Sequence, residues 1–183
     1  MSESTGPEVI RALFAEPDDE SFAMLQRLFE SWFDKYIVCD RAKTLTEAVQ
    51  LLNSGDYDLV ISELIFPGRP ETPQQVITTL GTQPGAADTP LAVITDCEDP
   101  TMPLKAFREG ISEYFAKSDL KIQLMEYRFR NLLQREYRSK TLEKQIDASL
   151  DRFRKAFDGS QGEISVLNNV ILQMKKIWEL PTP

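Results

Sequence analysis

Three apolar runs of this sequence close on a residue that could do chemistry. Glu63 ends DLVISE, Thr95 ends LAVIT and Lys117 ends EYFAK. A carboxylate, a hydroxyl and an amine can act together only if the fold brings the ends of these runs to one place. Further acids follow other runs: Glu16 after VIRALFA, Asp40 after YIVC and Asp96 after Thr95. Glu63 is the conspicuous one. In YDLVISELIFPG the apolar run stops on it, then resumes with Leu-Ile-Phe before a Pro-Gly turn.

The rest of the composition narrows what such a group could be for. The chain has no histidine, which removes the commonest general base and the commonest zinc ligand. Its two cysteines, Cys39 and Cys97, are too few for a disulfide scaffold and read as small, partly buried thiols. No nucleophile and base pair suggests an enzyme acting on an external substrate. The loops after the runs lack the glycine- or Ser/Thr-rich cradle that a nucleotide or flavin needs.

The elements that must position these residues alternate along the chain. Strands are predicted over 9–15, 36–39, 58–63, 91–95 and 113–117, and helices over 22–33, 44–54, 73–80 and 103–109. Thr44 or Thr46 is a candidate N-cap, with Gly55 just past that helix's end. Strands that are apolar throughout belong in a sheet covered on both faces. Helices between them imply right-handed crossovers and a parallel three-layer α/β sandwich with five strands. In such a sheet the functional crevice lies at the carboxyl ends of the strands. Those ends here are Ala15-Glu16, Cys39-Asp40, Glu63, Thr95-Asp96 and Lys117.

From Asp119 to about Phe157 the pattern is helical. Met125, Phe129 and Leu132 form one stripe, and Ile146, Leu150, Phe153 and Phe157 another at 4-3-4 spacing, suited to a coiled-coil seam. Leu133, Tyr137 and Leu142 fall off that register, so a stutter or bend is expected between the stripes. The chain thus divides into a leader over 1–8, an α/β domain over 9–125, an extended helix over 126–157, and a second helical segment with a Pro-rich end over 158–183. Homodimerisation through the long helix is favoured over folding back onto the last segment.

The net charge of −8 is unevenly spread. Residues 1–117 carry 9 Lys and Arg against 20 Asp and Glu, so the body of the protein repels a phosphate backbone. The positive charges of the tail are interleaved with acids, as on a solvated helix face. Direct nucleic-acid binding is not expected. No run approaches the length of a membrane span and the N-terminus has no signal-peptide core, so a cytoplasmic location is expected.

Taken together, LFAEPDD, GDYDLVISELIFPG, LAVIT and GISEYFAK resemble the receiver domain of bacterial two-component response regulators over about residues 9–125, a flavodoxin-like fold. The resemblance places the acidic turn at Glu16, Pro17 and Asp18, the phosphoacceptor position at Glu63, the switch hydroxyl and aromatic at Thr95 and Tyr114, and the pocket lysine at Lys117. It also implies protein partners in a signalling pathway.

Three departures qualify it. The acceptor aspartate of the family is Glu63 here, whose extra methylene moves the carboxylate by about 1 Å, a displacement that can cost about a hundredfold in an in-line transfer. Pro17 stands where a direct carboxylate ligand to magnesium is usual, which weakens any Mg²⁺ site built from Glu16, Asp18 and Glu63. Ser118 replaces the proline that usually follows the lysine, and Ser118 or Asp119 is a candidate helix N-cap. The expectation is a receiver-like domain that is not phosphorylated in the usual way, serving as an interaction and dimerisation module. The alternatives are a working phosphoacceptor using Glu63 or a shifted metal site with Asp18, and a flavodoxin-like small-molecule module.

Overall fold

The computed structural model describes residues 9–156. The leader, Phe157 and the segment 158–183 lie outside the described residues. Contacts divide the chain into two compact units, Met1–Glu136 and Tyr137–Pro183.

The first unit is an α/β sandwich around a five-stranded parallel sheet. Strands β1 (Ile10–Ala15), β2 (Ile37–Ala42), β3 (Leu59–Ser62), β4 (Leu91–Thr95) and β5 (Glu113–Ala116) alternate with helices α1 (Asp19–Phe33), α2 (Leu45–Ser54), α3 (Pro73–Gly81) and α4 (Met102–Arg108). Helix α5 (Ile122–Ala156) follows β5. The spatial order is β2-β1-β3-β4-β5, so the chain reverses its direction of travel at β1, between β2 and β3. That reversal opens a crevice beyond the carboxyl ends of β1 and β3.

Both faces of the sheet are covered, which is why its strands are apolar throughout. Alternate residues of β1 go to opposite sides. Leu13 and Ala15 join Leu45, Leu52, Val76 and Ile77 in the core under α2, α3 and α4. Ala12 and Phe14 join Leu25, Phe29, Met125 and Phe129 under α1 and α5. Phe29 is central to that second layer, with ring centroids 5.2 Å from Phe14 and 4.8 Å from Phe129 in edge-on arrangements.

The helices start where local chemistry caps them. Asp18 caps α1 by accepting from the Ser21 amide, and Asp19 and Glu20 in the first turn suit the helix dipole. Thr44 caps α2, with Gly55 at its far end. Thr72 and Gln75 form a reciprocal capping box on α3 with Pro73 in the first turn. Gly110, at φ +91°, lets the chain reverse from α4 into β5.

Three expected boundaries are corrected. β2 runs to Ala42, not Cys39, because Arg41 and Ala42 continue the ladder with Phe14 and Ala15. Asp40 therefore lies inside the strand and pairs with Arg11 at 3.0 Å, away from the crevice. α1 starts at Asp19, three residues before the apolar periodicity begins, because its cap is Asp18. Neither Ser118 nor Asp119 caps α5: Lys117–Asp119 form a 3-10 turn, and the helix begins at Ile122.

In the second unit α5 carries Ile146 and Leu150, both half-buried, while Leu142 is exposed. Phe153 also lies on α5, as do Phe129 and Leu132 of the first unit, both buried in the sheet-facing core. The latter two are core residues, not members of an open seam. No helix among the described residues is long and apolar enough to cross a membrane.

Candidate functional site

Register brings the strand ends together. Ala15 lies opposite Ser62, so the next residues, Glu16 and Glu63, stand side by side beyond the sheet. Thr95 lies opposite Ala116, which sets Lys117 beside Asp96. Two backbone bonds extend the ladders one step further: Glu16 N–H donates to Ala42 O at 3.0 Å, and Glu63 N–H donates to Ala15 O at 2.9 Å. Both acids are thereby fixed at the mouth, and both are buried, at 2% and 3% exposure.

After Glu63 the chain turns sharply. Leu64 and Phe66 are buried, Ile65 is half exposed, and Arg69 N–H donates back to Phe66 O. Pro67 and Gly68, the latter at φ +70°, occupy the central positions of that turn, as a type II turn requires. The reversal aims two amides at the preceding carboxylate: Leu64 N–H and Ile65 N–H donate to Glu63 Oε1 at 2.6 and 3.1 Å.

Three more donors come from the ends of β4 and β5. Thr95 Oγ1, fully buried, donates to Glu63 Oε1. Asp96 N–H donates to Oε2 at 3.2 Å, and the Lys117 ammonium lies 2.9 Å from the same oxygen. Five donors thus converge on one carboxylate. A buried charge at ordinary protein dielectric requires such saturation, and with its lone pairs occupied the group is a poor nucleophile.

Lys117 also pairs with Glu16 Oε2 at 2.8 Å, and Glu16 Oε1 accepts from Asp18 N–H at 3.0 Å. Burial drives the Glu16 carboxyl above the usual carboxylate range, and the hydrogen bond from Lys117 only partly pulls it back. Burial also opposes the charge on Lys117, but its bonds to Glu16 and Glu63 outweigh that, and the ammonium is held more firmly than in water. Tyr114, on β5, is half-buried against the core under α4. Burial, with negative charge nearby adding, pushes its phenol up to about 12.

A cavity of about 410 Å³ opens above these groups, with Glu16, Pro17, Asp18, Glu63, Ile65 and Asp96 among its walls. The structure therefore brings Glu16, Glu63, Thr95 and Lys117 into one bonded network. Pro17 and Asp18 line the opening, and Tyr114 lies outside the network. The residues do not fit a magnesium site. All four oxygens of Glu16 and Glu63 are committed to protein donors, Asp18 accepts from Ser21 N–H at 2.7 Å as a helix cap, and Pro17 offers no side-chain oxygen. Among the described residues no group of three or more His, Cys, Asp or Glu is disposed to hold a metal ion.

Solved structures share this architecture. A signal receiver domain of an HD domain-containing protein from Pseudomonas fluorescens is similar at TM-score 0.60 and 24% identity, over 71% of this chain and 98% of that one. A CheY-like response regulator receiver domain protein from Methanospirillum hungatei is similar at TM-score 0.61 and 11% identity, over 72% and 99%. A putative response regulator from Chloroflexus aurantiacus gives TM-score 0.59 at 22% identity, over 69% and 99%. The fold is that of a receiver domain. No family model matches the sequence, and no curated protein matches it.

Two features of the receiver-fold mouth were not anticipated from sequence. Ser21 Oγ accepts from Lys117 at 3.3 Å, and Arg41 reaches the acidic turn from the end of β2. Ser21 is detectable in retrospect as the third residue after the cap Asp18. Arg41 becomes visible only once β2 is known to extend to Ala42.

Proposed function

We propose that this chain is a receiver-like module of bacterial two-component signalling that works without phosphorylation, in the cytoplasm and through protein partners. The observation that carries the reading is the saturation of Glu63. Its carboxylate already holds Thr95 and Lys117, the two residues that the resemblance assigns to phosphoryl sensing, in one arrangement. The pocket then presents a fixed charge where a phosphorylated relative would switch, and the module's output is binding, not catalysis. The structural neighbours named as response regulators support the pathway assignment by fold. Dimerisation through the far half of α5 is part of this reading, supported by the i, i+4 pair Ile146 and Leu150. Sedimentation equilibrium on the whole chain should then show a dimer that Leu150→Asp dissociates, and a monomeric wild type removes that part of the reading.

Intact-mass spectrometry after incubation with acetyl phosphate and magnesium tests the central point. Wild type should remain unmodified, while Glu63→Asp combined with Pro17→Asp should gain a phosphoryl group. A wild type that gains one makes the protein a working phosphoacceptor and overturns the reading.

A further inference from the structure

Helix α1 ends without the residues that usually close a helix. No basic side chain lies in its last turn, and Asp34, not glycine, follows Phe33. Asp34 adopts φ +54° and ψ −142°, a combination that residues with a side chain rarely hold. Among the described residues it is the one non-glycine residue with positive φ. Its N–H still donates to Glu30 O, so the helix stays wound to its last residue.

The end of α1 is completed by another element. Arg130 of α5 donates through Nη2 to Trp32 O, in the last turn, where a helix leaves its carbonyls without intrahelical partners. Its Nε pairs with Glu126 Oε1 at 2.9 Å, one turn earlier on α5, and its Cζ lies 5.1 Å from the centroid of the Phe33 ring. The guanidinium is thus held at three points, with its charge at the negative end of the α1 dipole. The preceding residue, Phe129, packs on Phe29 and Trp32 with 4.8 and 6.4 Å between ring centroids. Arg130 therefore borders an apolar seam between the two helices.

These contacts leave the chain little room. The last turn of α1 is pinned to α5 at Trp32 and Phe33, while β2 is pinned to β1 from its first residue, the buried Ile37 opposite Ile10. Asp34–Tyr36 alone connect the two, in a single 3-10 turn. We propose that Arg130 is a latch that holds this junction under strain: seating α5 on α1 maintains the Asp34 backbone, and release of the latch lets it relax. Helix α1 starts at the crevice, with Asp18 and Ser21 in the cavity wall, and ends at the latch. A partner that draws α5 from α1 therefore loosens a helix that walls the crevice, and the relaxation of Asp34 assists it. The inference goes beyond the proposed function, since it depends neither on phosphorylation nor on dimerisation.

The test is a double-mutant cycle on the whole chain, built from Asp34→Gly and Arg130→Met and read by thermal melting and native-state amide hydrogen exchange. Glycine adopts the Asp34 conformation without strain. It also frees the unfolded chain, but that effect is common to both backgrounds and cancels in the cycle. The change in melting temperature caused by Asp34→Gly should be more favourable by several degrees in wild type than in Arg130→Met. Arg130 is half exposed, so its removal should leave the fold intact. Arg130→Met should speed exchange of the Asp34 amide by about tenfold, the size expected for loss of one charge-assisted hydrogen bond, with the Ala48 and Leu52 amides of α2 unchanged. Arg130→Lys keeps the charge but not the planar fork, and should behave like Arg130→Met. The Ser21 amide, at the crevice end of α1, should shift when Arg130 is replaced; unmoved, it overturns the coupling to the crevice. Equal effects of Asp34→Gly in both backgrounds, an Asp34 amide whose exchange ignores Arg130, or a lysine variant that matches wild type overturns the latch.

Discussion

The sheet carries two charged clusters, one near each end of β1, built from similar groups in different surroundings. Near the start of the strand, Arg11 pairs with Asp40 at 3.0 Å and Tyr57 donates to the same carboxylate, with the charged side chains 44% and 35% exposed. Beyond the end, Lys117 pairs with Glu16 and Glu63, with side chains 9%, 3% and 3% exposed. Water stabilises the first cluster whether or not its partners meet. In the second, each charge depends on the others, because taking any one away leaves a buried ion without its counter-charge. The mouth is therefore cooperative where the amino end is not, and cooperativity is what a fixed conformation needs.

The largest effect is expected from Lys117→Met. It leaves two carboxylates buried side by side, and loss of one partner from a buried pair costs about 3–5 kcal/mol. Urea denaturation in metal-free buffer at neutral pH should show a loss of this size. A loss comparable to that at an exposed pair means that the mouth is wetter than its geometry indicates and that the two clusters are alike after all.

A smaller effect should appear in the pH dependence of Glu16→Gln. The folded-state value of Glu16 is raised above the ordinary carboxylate value of 4.5, chiefly by burial. The folded chain therefore takes up this proton more readily than the unfolded one, and the contribution to stability grows as pH falls through the raised value and is complete below 4.5. Measured against Glu16→Gln, wild type should gain relative stability between neutral pH and that point. The opposite slope would show that the Lys117 bond, and not burial, dominates this carboxyl.

The sheet and its helices were legible because each signal was local. Apolar runs with no alternation gave the covered strands, and Gly55 with Thr44, one of two candidate caps, bounded α2 where the structure bounds it. Glu63 was legible for the same reason, as an acid closing an apolar run. What the sequence left open depends on register. Arg41 lies 25 residues from Glu16, and nothing near either residue indicates that Ala42 pairs with Ala15 and carries the guanidinium to the turn. The five donors on Glu63 were hidden likewise, since three are backbone amides whose direction is set by the turn and by β4, not by residue type. Phe129 and Leu132 read as a helix stripe that a partner could cover, but periodicity does not say what covers a stripe, and here it is the sheet.

The exposed cluster supplies the control. Arg11→Ala, Asp40→Ala and the double substitution form a cycle in which the pairwise coupling should be no more than about 1 kcal/mol, as for solvent-exposed pairs. It should also shrink as salt is raised, since water and ions reach both groups. Arg11 lies 5.0 Å from the Tyr57 ring centroid, so Arg11→Ala alone removes packing as well as charge. The coupling, not the single loss, is therefore the quantity to set beside Lys117. If it instead matches the cost of Lys117→Met and resists salt, burial is not what separates the two ends of β1. The difference would then have to come from the number of donors on each carboxylate, five at Glu63 against two at Asp40.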